Sequence, residues 1–387
     1  WWMQTVRAFS LFGLAFFAAP MISKFYEIPE LTFMLRTAFL SIIFKGLISP
    51  KAHVLEKDYK FGKLSLIKQG SGILSSVIMV ILALMMQNVW ALVIGFVSEA
   101  LLLCLLSYIF VPFRPSLRFN KNHFMELVSF AKGMFGLSIF TVIAFQMDVI
   151  VLGKMVPKEE LGMYTFAVRI TEIPIMLFNR VISPVLLPSF AQKQNLTEAL
   201  KNAILKITRI VSLLAVPVVI FIFFSSEEIL SVAFGDKYAG AAAACSILSF
   251  RIFFQTESGV LGAAYFAAGK PHLQRKAVIW RSVIIATSIY FLIGHYGTIG
   301  AAAAIVLGNF AAFAIQIINS RKHIGISTRK YFSSFLPLLA VIPAAGIVYG
   351  VNLIIEMSQI TGLIVNMINY SLIIILSLGI FCRKSFL

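Results

Sequence analysis

Apolar runs of about 20 residues recur along the whole chain, separated by short charged stretches. A run of that length crosses the hydrocarbon core of a bilayer as an α-helix. The pattern predicts about twelve spans, a to l, near residues 3–22, 31–49, 64–86, 90–110, 124–153, 161–190, 203–224, 238–268, 277–294, 299–319, 331–351 and 360–381. Basic residues fill every second connection: Lys51, Lys57, Lys60, Lys63, Arg114, Arg118, Lys193, Arg275, Lys276, Arg321, Lys322, Arg329 and Lys330. The alternate connections hold Lys24, Lys154, Lys158 and Lys237 beside Glu27, Glu30, Glu159, Glu160, Glu227, Glu228 and Asp236. Lys and Arg gather in cytoplasmic loops, so this alternation places both ends of the sequence in the cytoplasm.

The polar residues that interrupt the spans carry most of the functional information, because a charge inside the bilayer needs a partner or a wet cavity. Span f contains Arg169, Glu172, Asn179 and Arg180. Arg169 and Arg180 are eleven residues apart, close to three helical turns, so straight helix geometry puts them on one face. Pro174, Pro184 and Pro188 predict that this helix is kinked. Elsewhere the interruptions are Arg36 in b, Glu99 in d, Lys132 and Asp148 in e, Arg251 and Glu257 in h, and Arg281 in i. Arg presents a planar fork that suits phosphate or carboxylate, so Arg36, Arg169, Arg180 and Arg251, with Lys132, are candidate binders of an anionic substrate. The structural alternative is that each cation neutralises an acid, or, for Lys132 and Arg281, snorkels to the headgroups. Asp148, Glu172, Glu257 and Glu99 are candidates for coupling transport to H⁺ or Na⁺.

Composition agrees with a membrane protein: 59% of residues are apolar, mean hydropathy is +0.92, and 13% are charged, yet the net charge is +17. Such a balance in a soluble chain would suggest nucleic acid. Here the basic residues lie in short clusters between spans, which excludes that partner. Cys104, Cys245 and Cys382 are far apart in apolar surroundings and read as core residues. His53, His123, His272 and His323 sit in basic loops without metal-ligand spacing, so no metal or cofactor is expected. The Gly-Lys pairs at Gly62, Gly153 and Gly269 lack the upstream glycine of a nucleotide-binding loop, and no catalytic signature is present.

An internal repeat organises the spans. FFAAPMISKFYEIPEL from Phe16 parallels FFSSEEILSVAFGDKY from Phe223, DYKFGKLSLIKQ near Asp58 parallels GKPHLQRKAVIW near Gly269, and VWALVIG ending at Gly95 parallels AAAAIVLG ending at Gly308. Spans a–d therefore match g–j in order, as transporters built from repeats do. Spans e and f have no counterpart before a, which predicts two further helices upstream of Trp1. The expected organisation is an N-lobe remainder over 1–120, a six-helix C-lobe over 121–322 and an extra peripheral helix pair over 323–387.

FYEIPELTFMLR from Phe25, KDYKFGKLSLIKQ from Lys57, VPFRPSLRFN from Val111, LGKMVPKEELGMYTFAVR from Leu152, LPSFAQ from Leu187, FGDKYAGAA from Phe234 and GKPHLQRK from Gly269 resemble the Wzx-type polysaccharide flippases. These belong to the multidrug/oligosaccharidyl-lipid/polysaccharide (MOP) exporter superfamily. The resemblance implies an all-α polytopic membrane protein, a MOP/MATE-like two-lobe helix bundle with 14 helices when whole. It also implies an undecaprenyl-pyrophosphate-linked oligosaccharide as substrate, flipped by alternating access for O-antigen or exopolysaccharide synthesis. Membrane lipids, a polysaccharide polymerase and a chain-length regulator are the partners it implies. The alternatives are a cation-coupled multidrug exporter, which would favour an acid-rich cavity, and a peptidoglycan-precursor flippase. A membrane glycosyltransferase or polymerase would need a large outer loop, and the outer loops here are all short.

Overall fold

The computed structural model describes residues 1–52, 55, 61–113, 125, 135–192, 197–336, 338, 361–365 and 367–369. They are helical almost throughout. The chain divides into two compact units, Trp1–Gly133 and Met134–Leu387.

The smaller unit carries spans a to d as α1 (Trp2–Tyr26), α2 (Leu31–Gly46), α3 (Phe61–Met86) and α4 (Trp90–Phe110). α1 packs on α2, α2 on α4, and α4 on α3. In lipid, apolar burial does not drive helices together, so association depends on small residues and polar ties. Gly46 meets Ala8 so closely that a Cβ at Gly46 would lie 2.0 Å from the Ala8 Cβ. Polar ties bind the same ends: Trp1 Nε1 donates to Tyr108 Oη at 3.0 Å, and Tyr108 Oη donates to the Leu47 carbonyl at 2.9 Å. Much of the remaining surface is apolar and exposed, as on Leu14, Phe17, Met21, Leu84, Met85 and Ile109, which suits lipid.

The larger unit opens with α5 (Phe135–Met155), which turns at Pro157 into α6 (Lys158–Leu177). Glu159 and Glu160 occupy the first turn of α6, where the helix dipole favours negative charge. The helix then widens into a π-helical turn, Phe178–Ile182, before α7 (Ser183–Ala191). The reason is local. Pro184 has no N–H to give the Arg180 carbonyl four residues back, and the Ser183 N–H bonds to the Phe178 carbonyl, five residues back. This turn lies beside Pro184, one of the three prolines of span f. After it come α8 (Thr197–Phe224), α9 (Ser226–Phe234), a 3₁₀ turn (Asp236–Ala241), α10 (Ala242–Ala267), α11 (Pro271–His323) and α12 (Thr328–Ser333).

α10 is the centre of this unit, packing against α6, α7, α8 and α11. Two clusters form the core: one holds Leu152, Tyr164, Leu248, Ile252 and Ile289, the other Phe190, Ile204, Leu261, Tyr265 and Tyr331. α11 holds spans i and j as two arms that reverse at Gly297, whose φ of 55° and ψ of −131° are not helical. The arms pack through small residues: a Cβ at Gly308 would lie 2.5 Å from Ile285 Cγ1. Spans a to j therefore each have a described helix, span e from residue 135 onward, while the first part of e and most of k and l lie outside the described residues. α1, α3, α4, α6–α7, α8, α10 and α11 (with α6–α7 and α11 counted as continuous runs) are long and apolar enough to cross a membrane.

The repeat has a backbone counterpart. Positive φ marks the turn that follows the first span of each repeat, at Glu27 (59°) and Gly235 (103°). It also occurs in the turn of each later hairpin, at Gln87 (49°) and Gly297 (55°), with nearly the same separation along the chain.

Candidate functional site

Five intramembrane charges of the larger unit, Asp148, Arg169, Glu172, Arg251 and Arg281, converge into one network. Glu172, on α6, is its hub. Its Oε2 accepts from Arg169 Nη1 at 2.9 Å, one turn away on the same helix. Its Oε1 lies 3.5 Å from Nη2 of Arg251 on α10. The Arg251 side chain is 8% exposed, whereas Arg169 is 76% exposed. Arg251 also acts electrostatically on Asp148 of α5, whose Oδ2 accepts from Tyr164 Oη at 2.9 Å. Arg281, on α11, lies within electrostatic reach of Arg251.

Arg281 departs from expectation. It does not snorkel: it is 9% exposed, its Nη1 donates to Asn309 Oδ1 at 3.4 Å, and its guanidinium stacks 4.3 Å over the Phe145 ring. An acceptor and a π-face inside the bundle hold the charge without the headgroups.

The network holds three guanidinium groups, Arg169, Arg251 and Arg281, against two carboxylates, Glu172 and Asp148. Arg180 adds a fourth cation, exposed on the π-helical turn. That turn also corrects the helical register. Arg169 and Arg180 are not joined by straight α-helix, because the wider turn begins between them, yet both side chains are exposed. The acid-neutralising alternative holds for Arg251 and, through one of its donors, for Arg169. An Arg carries five N–H donors, so Arg169 keeps capacity for another acceptor.

Glu257 stands apart from this network. It is fully buried in the middle of α10 and takes its hydrogen bond from Tyr331 Oη, 3.2 Å away on α12. In the smaller unit, Arg36 is half-buried, lies 4.2 Å over the Phe16 ring and donates from Nε to the Phe16 carbonyl at 3.5 Å. Glu99 is exposed on α4. Lys132 lies outside the described residues.

Sequence reasoning missed Tyr164, Asn309, Phe145 and Tyr331, which complete these contacts. Tyr164 was within reach of it. Asp148 and Tyr164 are equally far from Val156, where α5 turns into α6, so an antiparallel hairpin sets them opposite each other.

Long apolar helices with charged residues held inside them define a multi-pass α-helical membrane protein. The chain belongs to the polysaccharide biosynthesis protein family, whose model matches residues 1–243. It is similar to the teichuronic acid biosynthesis protein TuaB of Bacillus subtilis, 23% identical over 92% of this chain and 74% of that protein. It is similar too to the lipopolysaccharide biosynthesis protein WzxC of Escherichia coli, 21% identical over 92% of this chain and 73% of that one. Among solved structures, the inward closed conformation of the lipid II flippase MurJ shares the fold, with a TM-score of 0.77 and 16% identity over 99% of this chain and 82% of MurJ.

Proposed function

We propose that this protein is a flippase that carries undecaprenyl-pyrophosphate-linked oligosaccharide repeat units across the bacterial cytoplasmic membrane, by alternating access, for cell-surface or exopolysaccharide synthesis. Membership of the polysaccharide biosynthesis family supports this reading, as does a fold shared with a lipid flippase. The observation that carries it is the surplus of guanidinium on helices that cross the membrane, with Arg169 and Arg180 exposed. A pyrophosphate-linked sugar needs cationic, hydrogen-bonding surface at membrane depth while its polyprenyl tail stays in lipid. In this reading Arg36, Arg169, Arg180, Arg251 and Lys132 meet the pyrophosphate or acidic sugars, and Asp148, Glu172, Glu257 and Glu99 serve coupling to H⁺ or Na⁺. Segments 1–120 and 121–322 supply the two lobes, 323–387 supplies the peripheral pair, and both ends of the sequence face the cytoplasm. A polymerase and a chain-length regulator act on the product, and the protein itself catalyses no covalent step.

The test is deletion of the gene in its host, with surface polymer and lipid-linked repeat units assayed together. Loss of polymer, with intact repeat units held in the cytoplasmic leaflet, supports the flippase. Normal polymer with new sensitivity to cationic drugs overturns it in favour of a multidrug exporter. Accumulation of the peptidoglycan precursor instead overturns it in favour of that branch.

A further inference from the structure

Glu257 is surrounded by hydroxyl oxygens. Its relative exposure is 0%, and among the described residues no ion pair reaches it. The groups that act on its carboxyl are Tyr331 from α12, and Ser212 and Thr208 from α8. Tyr331, Thr208 and Ser212 are each 0% exposed. The Tyr331 hydroxyl is committed to Glu257 Oε2, and Ser212 Oγ donates to the Thr208 carbonyl one turn back. Glu257 Oε1 and Thr208 Oγ1 complete no hydrogen bond. A further titratable group beside this cluster is Tyr265 of α10, which acts on Tyr331, while α11 contributes the apolar Phe313. The cation on the same helix, Arg251, is held by Glu172.

A carboxylate sealed inside protein with only neutral donors is expensive unless a positive charge joins it. Oxygen ligands from a carboxylate and hydroxyls are the donor set of a hard cation. We propose that Glu257, Thr208, Ser212 and Tyr331 form a binding site for a small monovalent cation, Na⁺ or H⁺, bound at Glu257 Oε1. The site joins three elements, α8, α10 and α12. Occupancy therefore also tightens the hold of α12, the start of the segment that follows α11, on the helices beneath it. The site rests on the coupling role given to Glu257 above and supplies its ligands. It is separate from the Arg169–Glu172–Arg251–Asp148 network, and cation binding can be read without transport, whatever the substrate.

The experiment follows thermal unfolding of the full chain, purified in lipid nanodiscs. One arm exchanges choline for Na⁺ at constant ionic strength and alkaline pH, and the other lowers pH in choline alone. Binding to the folded state alone raises the melting midpoint, by about 2–4 °C near ten times the dissociation constant. A rise in the first arm that is absent in Glu257→Gln identifies Na⁺; a rise confined to the second arm and absent in that variant identifies H⁺. Glu159→Gln, at an exposed carboxylate in the first turn of α6, keeps the response in either case. Thr208→Val, which keeps shape and removes one oxygen, weakens the cation response several-fold and serves if Glu257→Gln does not fold. The proposal is overturned if neither arm shifts the midpoint, or if both variants respond like the unaltered protein.

Discussion

Arg251 Nη2 sits 3.5 Å from Glu172 Oε1, and the two groups differ sharply in exposure: 8% for the arginine side chain and 40% for the glutamate. Removal of the two partners is therefore unequal. Glu172→Ala leaves a buried guanidinium without its carboxylate and is expected to cost about 2 kcal/mol. The paired replacement Glu172→Gln with Arg251→Met removes the charge problem from both sides and recovers most of that loss. Chemical unfolding in detergent checks both, and equal stability of the single and paired variants would contradict the pairing.

Arg180 separates binding from stability. Its side chain is exposed, and among the described residues no ion pair holds it. Arg180→Gln is expected to leave the melting midpoint almost where it is, since exposed substitutions change stability by no more than about 0.5 kcal/mol. If the guanidinium meets the anionic substrate, polymer export falls at least tenfold at unchanged protein abundance, since loss of a charge-assisted hydrogen bond costs about 1.5–3 kcal/mol. Arg251→Gln, by contrast, lowers both abundance and export. Normal export by Arg180→Gln would remove that residue from the substrate path.

Phe178 fills the space beside Gly259. A Cβ at Gly259 would lie 2.8 Å from Phe178 Cε1, and the ring is 6% exposed. Phe178 opens the π-helical turn, so this contact fixes where the turn presses on α10. Gly259→Val must displace the ring and is expected to cost about 1–3 kcal/mol. Phe178→Leu shortens the intruding side chain and should relieve part of that cost in the double variant, measured as a double-mutant cycle. Strict additivity would show that the two residues do not compete for the same space.

Spans a to j were legible because length and hydropathy report on the bilayer rather than on packing, and, apart from the start of e, which lies outside the described residues, the sequence alone delimits each helix to within several residues. A break in regular α-helix in span f was legible too, since Pro184 removes a donor at a known position. Its form was not: widening to a π turn depends on where the freed carbonyls find new donors. The charged residues were easily found and harder to partner. Glu172 with Arg169 needs only helical spacing, and Asp148 with Tyr164 needs only the hairpin at Val156. Arg281 reads as a snorkelling residue until Asn309, on the other arm of α11, and Phe145, on α5, come together around it. Glu257 is the extreme case. Thr208 lies far before it in the chain and Tyr331 far after it, and only the packing of α8, α10 and α12 assembles them.

Gly297 turns the two arms of α11 back on each other, and its backbone explains why glycine stands there. A φ of 55° with a ψ of −131° is a conformation that L side chains rarely adopt. A Cβ at this position would meet nothing within 4 Å, so Gly297→Ala tests the backbone cost without a steric one. The expected loss is about 1–3 kcal/mol. Gly300 is the opposite case: a Cβ there would lie 1.9 Å from the Leu292 carbonyl oxygen, so the chain of the turn itself has to move. Gly300→Ala should therefore cost more than Gly297→Ala and should also loosen the arms at Arg281 and Asn309, which face each other further along the same hairpin. Thermal unfolding of the two variants, with cysteine crosslinking across the arms, gives the comparison. A milder effect at Gly300 than at Gly297 would show that the turn is set by something other than the close approach of these two strands of chain.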